Sequence, residues 1–88
     1  MDLYSFQGIA KQASGELKLL QFDYTKADGT IESYITEPYE IREDNGNMVY
    51  FGFKLAEDGG IRKFIVERIG HVTIVNQTYT PRWPIKIW

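Results

Sequence analysis

The chain has 88 residues and a formal net charge of −2, and 43% of its residues are apolar and 15% aromatic. This length suits a single domain, and the apolar content argues against intrinsic disorder. The absence of cysteine excludes disulfides, thiolate nucleophiles and cysteine-ligated metal sites. No apolar stretch approaches the roughly 18–20 residues that cross a bilayer, and the first residues do not read as a signal peptide. We therefore expect one small soluble domain over residues 1–88, located in the cytoplasm.

Charge is distributed unevenly along the chain. Residues 1–53 carry four basic and nine acidic side chains, a net charge of −5, whereas residues 54–88 carry six basic and three acidic side chains, a net charge of +3. Such a division can steer an anionic ligand towards one face of the protein. Pairing of opposite charges across neighbouring strands is the simpler explanation at this stage.

The N-terminal segment, residues 1–15, predicts a short helix. Its apolar residues recur with helical spacing at Leu3, Phe6, Ile9 or Ala10, and Ala13. Asp2 is placed to cap the first turn, and Gly15 is placed to end the helix. Gly8 weakens the helix by about 1 kcal/mol, so the helix needs packing against another element.

After the helix the apolar period changes to two, which predicts β-strands. Five strands are expected, over residues 17–24, 31–41, 48–55, 61–69 and 72–75. The Asp28-Gly29 pair is typical of a type I′ hairpin turn, and Pro38 predicts an edge, a bend or a bulge in the second strand. Short strands joined by tight turns favour a closed antiparallel barrel, because closure pairs the strand edges. We therefore expect a mainly β fold with one short N-terminal helix and a small barrel, and a C-terminal strand or tail over residues 81–88.

Catalytic and metal-binding signals are weak. His71 is the only histidine, and no nucleophile-elbow sequence accompanies it. The spacing of Asp23 and Glu37 does not identify them as paired catalytic carboxylates. Residues 43–47 contain oxygen ligands but lack the spaced acidic residues of a calcium loop, so we interpret them as a turn. The sequence therefore predicts neither an enzyme, nor a metal site, nor a cofactor.

Residues 61–69 carry the clearest binding signal. On a strand, Arg62, Phe64, Val66 and Arg68 would share one face. Arginine binds phosphate bidentately and an aromatic ring can stack on a base, so this face suits an anionic ligand. At about 3.3 Å per residue the two arginines would lie roughly 20 Å apart, so they would bracket a ligand with several phosphates, or lie on different surfaces if the strand is strongly bent. The alternative is that each arginine pairs with an acidic neighbour.

The same residues resemble a known family. The pattern Arg-x-Phe-x-x-x-Arg-Ile, which begins at Arg62, resembles the signature of the WYL domain family. The Glu-Pro pair at Glu37, followed by Ile41, is similar to the family's Glu-Pro-x-x-Leu segment. Residues 49–51, Val-Tyr-Phe, fall where the Trp-Tyr-Leu triplet would lie and keep its tyrosine. The resemblance covers roughly residues 10–80.

This resemblance implies an Sm-like, SH3-type β-barrel of about five strands that acts as a ligand-sensing module. Such domains commonly accompany winged helix-turn-helix domains in bacterial regulators, or occur in defence-system proteins, and are thought to bind nucleic acids or nucleotides. The family usually carries an arginine four residues before its proline, and Tyr34 stands there in this chain, where it can stack on a base. The chain has no room for a helix-turn-helix, so we expect a freestanding domain, as in phages or mobile elements, or a piece of a longer protein.

Two functions remain open. The first is a non-enzymatic regulatory module that binds a nucleotide or a single-stranded nucleic acid. Its ligand-binding residues would be Tyr50, Lys54, Arg62, Phe64 and Arg68, with Tyr34 as a further candidate. Tyr50 and Lys54 share strand parity, so the tyrosine would stack on a base while the cations neutralise phosphate.

The second function is a protein-interaction or assembly module, for example an inhibitor encoded by a phage or mobile element, which uses the aromatic C-terminal segment. Its expected interface residues are Tyr79, Trp83, Ile85, Ile87 and Trp88. These residues either complete the domain's own core or dock on a partner, in which case we expect a homodimer.

Overall fold

A computed structural model describes residues 1–87, which form one helix followed by a five-stranded antiparallel sheet. The elements are α1 (Leu3–Gly15), β1 (Lys18–Thr25), β2 (Ile31–Asp44), β3 (Asn47–Lys54), β4 (Gly60–Ile65), a 3-10 turn (Val66–Arg68) and β5 (Ile69–Thr78). The strand order in the sheet is β4-β3-β2-β1-β5. No helix within residues 1–87 is both long and apolar enough to cross a membrane.

The predicted helix is confirmed, and so is its cap. The Asp2 carboxylate accepts a hydrogen bond from the Ser5 N–H at 2.9 Å. The helix ends at Gly15, as expected. The left-handed conformation is taken two residues later by Leu17, with φ of 53°. The apolar side of α1 packs on the sheet through residues that are completely buried, namely Phe6, Ala10 and Ala13.

The first two of the three hairpin turns differ from each other in backbone conformation. Type I′ requires positive φ at both central residues. In the first hairpin only Gly29 has a positive φ, of 87°, so the type I′ turn predicted for Asp28-Gly29 is wrong. In the second hairpin Asn45 and Gly46 have φ of 50° and 82°, which meets that requirement.

Pro38 produces the expected irregularity in β2. The pairing of β2 with β3 shifts between Pro38 and Glu40, so Tyr39 is the extra residue of a bulge. The pairing of β1 with β2 ends at Thr36, before this bulge. Beyond it the C-terminal segment takes the vacant side of β2, where the Lys86 N–H donates to the Tyr39 carbonyl at 2.6 Å. The contact is a single parallel bridge, so of the two expected alternatives, a strand or a tail, residues 81–87 form a packed tail.

The sheet is curved, but its closure into a barrel is not confirmed. No ladder joins the outer strands β4 and β5 among the described residues. Tyr24 on β1 nevertheless reaches β4, where its hydroxyl accepts a hydrogen bond from the Ile65 N–H at 3.0 Å. Its ring also lies 5.1 Å from that of Phe64. The sheet therefore curls far enough for its first and fourth strands to touch.

The core is organised around Tyr50, which is fully buried. Its ring centroid lies 5.0 Å from that of Phe6 and 5.9 Å from that of Phe22, both in edge-to-face geometry. Its hydroxyl is 2.8 Å from the hydroxyl of buried Thr36, which satisfies both polar groups. The ring lies over Gly52, where an added Cβ would be 2.8 Å from the Tyr50 hydroxyl oxygen. Glycine is therefore required at that position by the tyrosine beside it.

We expect Gly52→Ala to lower the free energy of unfolding by about 1–3 kcal/mol, because the added methyl group overpacks a buried ring. Gly8→Ala is the matched control. Nothing lies within 4 Å of a Cβ at Gly8 in α1, so this change should raise stability by about 0.5–1 kcal/mol. Urea denaturation monitored by circular dichroism measures both. Equal effects of the two substitutions would contradict the packing described for Tyr50.

Candidate ligand-binding site

Side chains of β3 and β4 alternate between the two faces of the sheet, and burial identifies the face that packs on α1. Tyr50 and Phe64 are paired across the two strands, and both belong to the core that contains Phe6. Lys54 and Arg62 have the same parity, so they project from that face as well. They lie towards the end of the hairpin, where Lys54 pairs with Gly60.

Two of the five predicted ligand-binding residues are core residues. Tyr50 is 0% exposed and Phe64 is 2% exposed. A ring without an accessible face cannot stack on a base, so the stacking role predicted for Tyr50 is wrong, and Phe64 likewise offers no ring face to a ligand. Tyr50 and Lys54 do lie on the same face of β3, as their parity predicts. That face packs on α1 at Tyr50, so the tyrosine is in the core, whereas Lys54 lies at the margin of the core near the end of the strand.

Arg68 does not share a strand face with Arg62. Strand β4 ends at Ile65, and a 3-10 turn follows, in which the Val66 carbonyl accepts the Ile69 N–H. Val66, expected on the arginine face, is instead buried in the core. Arg68 is exposed on the turn. The prediction of one continuous strand over residues 61–69 is therefore wrong. The residues of the 3-10 turn fit the same assignment of alternate side chains to two faces, so this pattern does not show where the strand ends.

The structure brings together Tyr34, Lys54 and Arg62, which we call the cationic cluster. The Lys54 ammonium lies 5.4 Å from the centroid of the Tyr34 ring, within cation–π range. The Tyr34 ring packs edge-to-face on Phe64, with centroids 4.9 Å apart. Phe64 thus forms the floor of the cluster. Tyr34, which the sequence offered only as a further candidate for ligand binding, contacts both Phe64 and the Lys54 ammonium.

Asp58, in the loop of the β3–β4 hairpin, holds both cations in place. Its carboxylate pairs with the Lys54 ammonium at 3.1 Å, and its backbone carbonyl accepts a hydrogen bond from Arg62 Nη2 at 2.6 Å. Arg62 Nη1 donates to the Ile61 carbonyl at 3.1 Å. A guanidinium has five N–H donors, and no other described residue accepts from those of Arg62. Arg62 is therefore oriented by the backbone while most of its donors remain available.

Tyr34 is a neutral hydrogen-bonding group at physiological pH. Burial and the neighbouring Glu32 carboxylate raise its pKa to about 12, although the Arg62 charge acts in the opposite direction. The cluster thus combines an ammonium, a guanidinium and a phenol, with two carboxylates at its margin. Charge-assisted hydrogen bonds from this set suit a phosphate or carboxylate group.

The C-terminal residues predicted as an interface are divided by the structure. Tyr79 and Ile87 are buried, and the Tyr79 hydroxyl donates to the Pro38 carbonyl at 2.9 Å. Ile85 is half-buried against the core, whereas Trp83 is 46% exposed. Most of this segment therefore completes the packing of the domain itself. Trp88, also predicted at the interface, lies outside the described residues.

Glu37 anchors the tail, a role that sequence reasoning missed. Its carboxylate is almost fully buried, accepts from the Tyr39 hydroxyl, and pairs with Arg82 Nε at 3.1 Å. The Arg82 N–H in turn donates to the Tyr39 hydroxyl at 2.9 Å. The sequence shows Glu37 only as one half of a Glu-Pro pair. Its partner is 45 residues away, so no local pattern reveals it.

Beside the tail, on the face of the sheet opposite the cationic cluster, lies an open groove of about 340 Å³. Its lining residues come from β2, β3, β4 and the tail, and are Tyr39, Glu40, Phe51, Ile61, Trp83, Pro84 and Lys86. A second groove, of about 270 Å³, lies at the start of α1. No member of the cationic cluster lines either groove, so the cluster is a surface site at the hairpin rather than a deep pocket.

Comparison with known proteins identifies a family and a shared fold. The model of the WYL domain matches residues 8–74. A solved structure described as proteasome accessory factor B/C (PafBC) of Arthrobacter aurescens resembles this chain with a TM-score of 0.74 at 12% sequence identity. The match covers 96% of this chain but only 14% of that one, and at this identity the likeness is one of fold. No curated protein sequence matches the chain.

Alkaline conditions should destabilise the protein through its buried phenols. Burial raises the pKa of Tyr34 and Tyr39 to about 12 and also raises that of Tyr50, whereas an unfolded tyrosine ionises near 10.0. Above pH 10 unfolding therefore releases protons, and the free energy of unfolding falls as pH rises. Tyr50→Phe should make this decline shallower in urea denaturation at pH 9, 10 and 11. An equally steep decline in the variant would contradict the burial of this hydroxyl.

Proposed function

The chain belongs to the WYL domain family, and on this basis we propose that it is a non-enzymatic regulatory module that binds an anionic ligand at the cationic cluster. The ligand class is a nucleotide or a single-stranded nucleic acid. The observation that carries the proposal is the position of Arg62. Two backbone carbonyls orient its guanidinium, which lies near Lys54 and Tyr34 and keeps three of its five N–H donors available for a ligand.

The chemistry of the cluster fits a phosphate group. A guanidinium that is already oriented loses little conformational freedom when it binds a phosphate bidentately. The Lys54 ammonium adds a second charge beside it. The half-buried Tyr34 ring supplies the aromatic surface for a base, the function that sequence reasoning assigned to Tyr50.

Long-range charge supports the same ligand class. Residues 54–88 carry a net charge of +3 within a chain of net charge −2, so the positive net charge belongs to the part of the sequence that contains Lys54 and Arg62. Arg68, exposed on the 3-10 turn, forms no ion pair with another described residue. We include it as a peripheral contact for a ligand with several phosphates. Such a distribution directs anions to the hairpin although the whole molecule is acidic.

A regulatory role is proposed from the family. The fold accounts for 14% of the accessory-factor chain that it resembles, so there it is one module of a longer protein. We propose the same modular use here, in the cytoplasm, with ligand binding communicated to an attached or associated protein. We further propose that the curved sheet is the Sm-like barrel of the family, an interpretation supported by the hydrogen bond between Tyr24 and Ile65.

The proposal is tested by fluorescence anisotropy with a labelled oligothymidylate of about eight nucleotides and with ATP as competitor. Arg62→Ala and Lys54→Ala should each weaken binding about 10-fold or more, since each removes a charge-assisted hydrogen bond. Each loss of a phosphate contact should also reduce the slope of log K against log salt by about 0.7.

Lys63→Ala is the matched control for Arg62→Ala. Lys63 neighbours Arg62 on β4, carries the same charge, and projects from the opposite face, where it pairs with Asp44 at 3.1 Å. The Lys63→Ala variant should bind the oligothymidylate almost as tightly as the parent protein does. Equal losses of affinity in Arg62→Ala and Lys63→Ala would mean that only the net charge of the protein matters. A parent protein that binds neither the oligothymidylate nor ATP at low salt would refute the proposal.

A further inference from the structure

The face of the sheet opposite the cationic cluster carries exposed apolar side chains. Phe53 and Ile61 are paired across β3 and β4 on this face, and Trp83 of the tail stacks beside Phe53 with ring centroids 6.0 Å apart. Ile61 is 42% exposed and Trp83 is 46% exposed. Together with Phe51, which lines the groove between them, these residues form what we call the apolar face. Exposed apolar clusters of this kind mark interaction surfaces.

The apolar face is held rigidly by the contacts that anchor the tail. Trp83 packs edge-to-face on Tyr39, with ring centroids 5.2 Å apart. The neighbouring Arg82 guanidinium lies 4.0 Å from the centroid of the Phe53 ring while it pairs with buried Glu37. A partner would therefore meet a preformed surface and would not have to order the tail first.

The charges in the groove point to the partner. Of the groove's lining residues only Glu40 and Lys86 are charged, and their backbones are bridged. The Glu40 carboxylate also lies 4.0 Å from Arg42 Nε, at the margin of the groove. Such a lining is neutral overall and does not favour an anion, in contrast to the cationic cluster. Across a two-fold axis the same patch meets itself, and a patch that holds one acid and one base is complementary to its own copy.

We propose that the apolar face is the interface of a homodimer. In this interface Trp83 of one copy packs against Ile61 of the other, and Lys86 of each copy pairs with Glu40 of its mate. An interface of standard size buries about 800 Å² per partner, which is about 15% of the 5278 Å² surface of this domain. The proposal does not depend on the ligand, because the cationic cluster lies on the other face.

Sedimentation equilibrium between about 5 and about 500 µM tests the proposal, over a range that covers weak homodimers. The parent protein should be dimeric at the upper end. Ile61→Lys should raise the dissociation constant about 10-fold or more, because it places a charge in the centre of the interface. Ile31→Lys is the matched control, since Ile31 is 68% exposed and lies at the β1–β2 hairpin, outside the groove. It should leave the dissociation constant unchanged.

A charge reversal supplies a second measurement that does not rely on Ile61. Glu40→Lys and Lys86→Glu should each weaken the dimer, and the double variant should recover most of the lost affinity, because the pairs re-form with opposite sign. A parent protein that is monomeric at all concentrations, or a double variant no better than the single ones, would overturn the proposal. Quenching of Trp83 fluorescence by an oligonucleotide in a monomeric Trp88→Phe variant would instead assign the groove to a ligand and overturn the proposal. Unchanged oligonucleotide affinity in Ile61→Lys would show that ligand binding at the cationic cluster does not depend on the dimer interface.

Discussion

The burial of two aromatic rings, Tyr50 on β3 and Phe64 on β4, is the constraint on which the rest of the molecule depends. Each ring removes on the order of 150–250 Å² of surface from water, and a slip of one residue in either strand would expose it. The register of this hairpin is therefore fixed by the core. Once it is fixed, Lys54 and Arg62 must project on the same face as the rings, and Phe53 must project on the other.

The placement of the tail follows from a second constraint, the burial of Glu37. A carboxylate removed from water needs a charged or hydrogen-bonding partner, and here both Arg82 and Tyr39 provide one. The bulge at Pro38 ends the pairing of β1 with β2 and leaves room for the tail beside Tyr39. Arg82 thus brings Trp83 against Tyr39 and Phe53 on the face of the sheet, so the groove is a consequence of satisfying one buried charge.

Local patterns in the sequence were sufficient to predict the elements and the family, but not the assignment of faces. The helix, its Asp2 cap and the irregularity at Pro38 depend on neighbouring residues, and all three are confirmed. Alternation showed that Tyr50 and Lys54 share a face but not whether that face meets solvent or α1. The 3-10 turn was missed because Val66 continues the alternation of β4. Tertiary packing decides such cases, so the two rings predicted to stack are core residues, and one of them, Phe64, forms the floor of the site.

The two functional surfaces proposed here belong to the same hairpin, and strand geometry keeps them apart. Arg62 and Ile61 are neighbours in sequence, yet their side chains leave β4 on opposite faces. A homodimer joined through the apolar face would therefore keep both cationic clusters accessible, so ligand and partner would not compete. Two clusters held in one particle bind a polyanion more tightly than one, because the second contact is intramolecular. Weak individual sites, each with one oriented guanidinium, are thus compatible with firm binding of a nucleic-acid strand long enough to reach both.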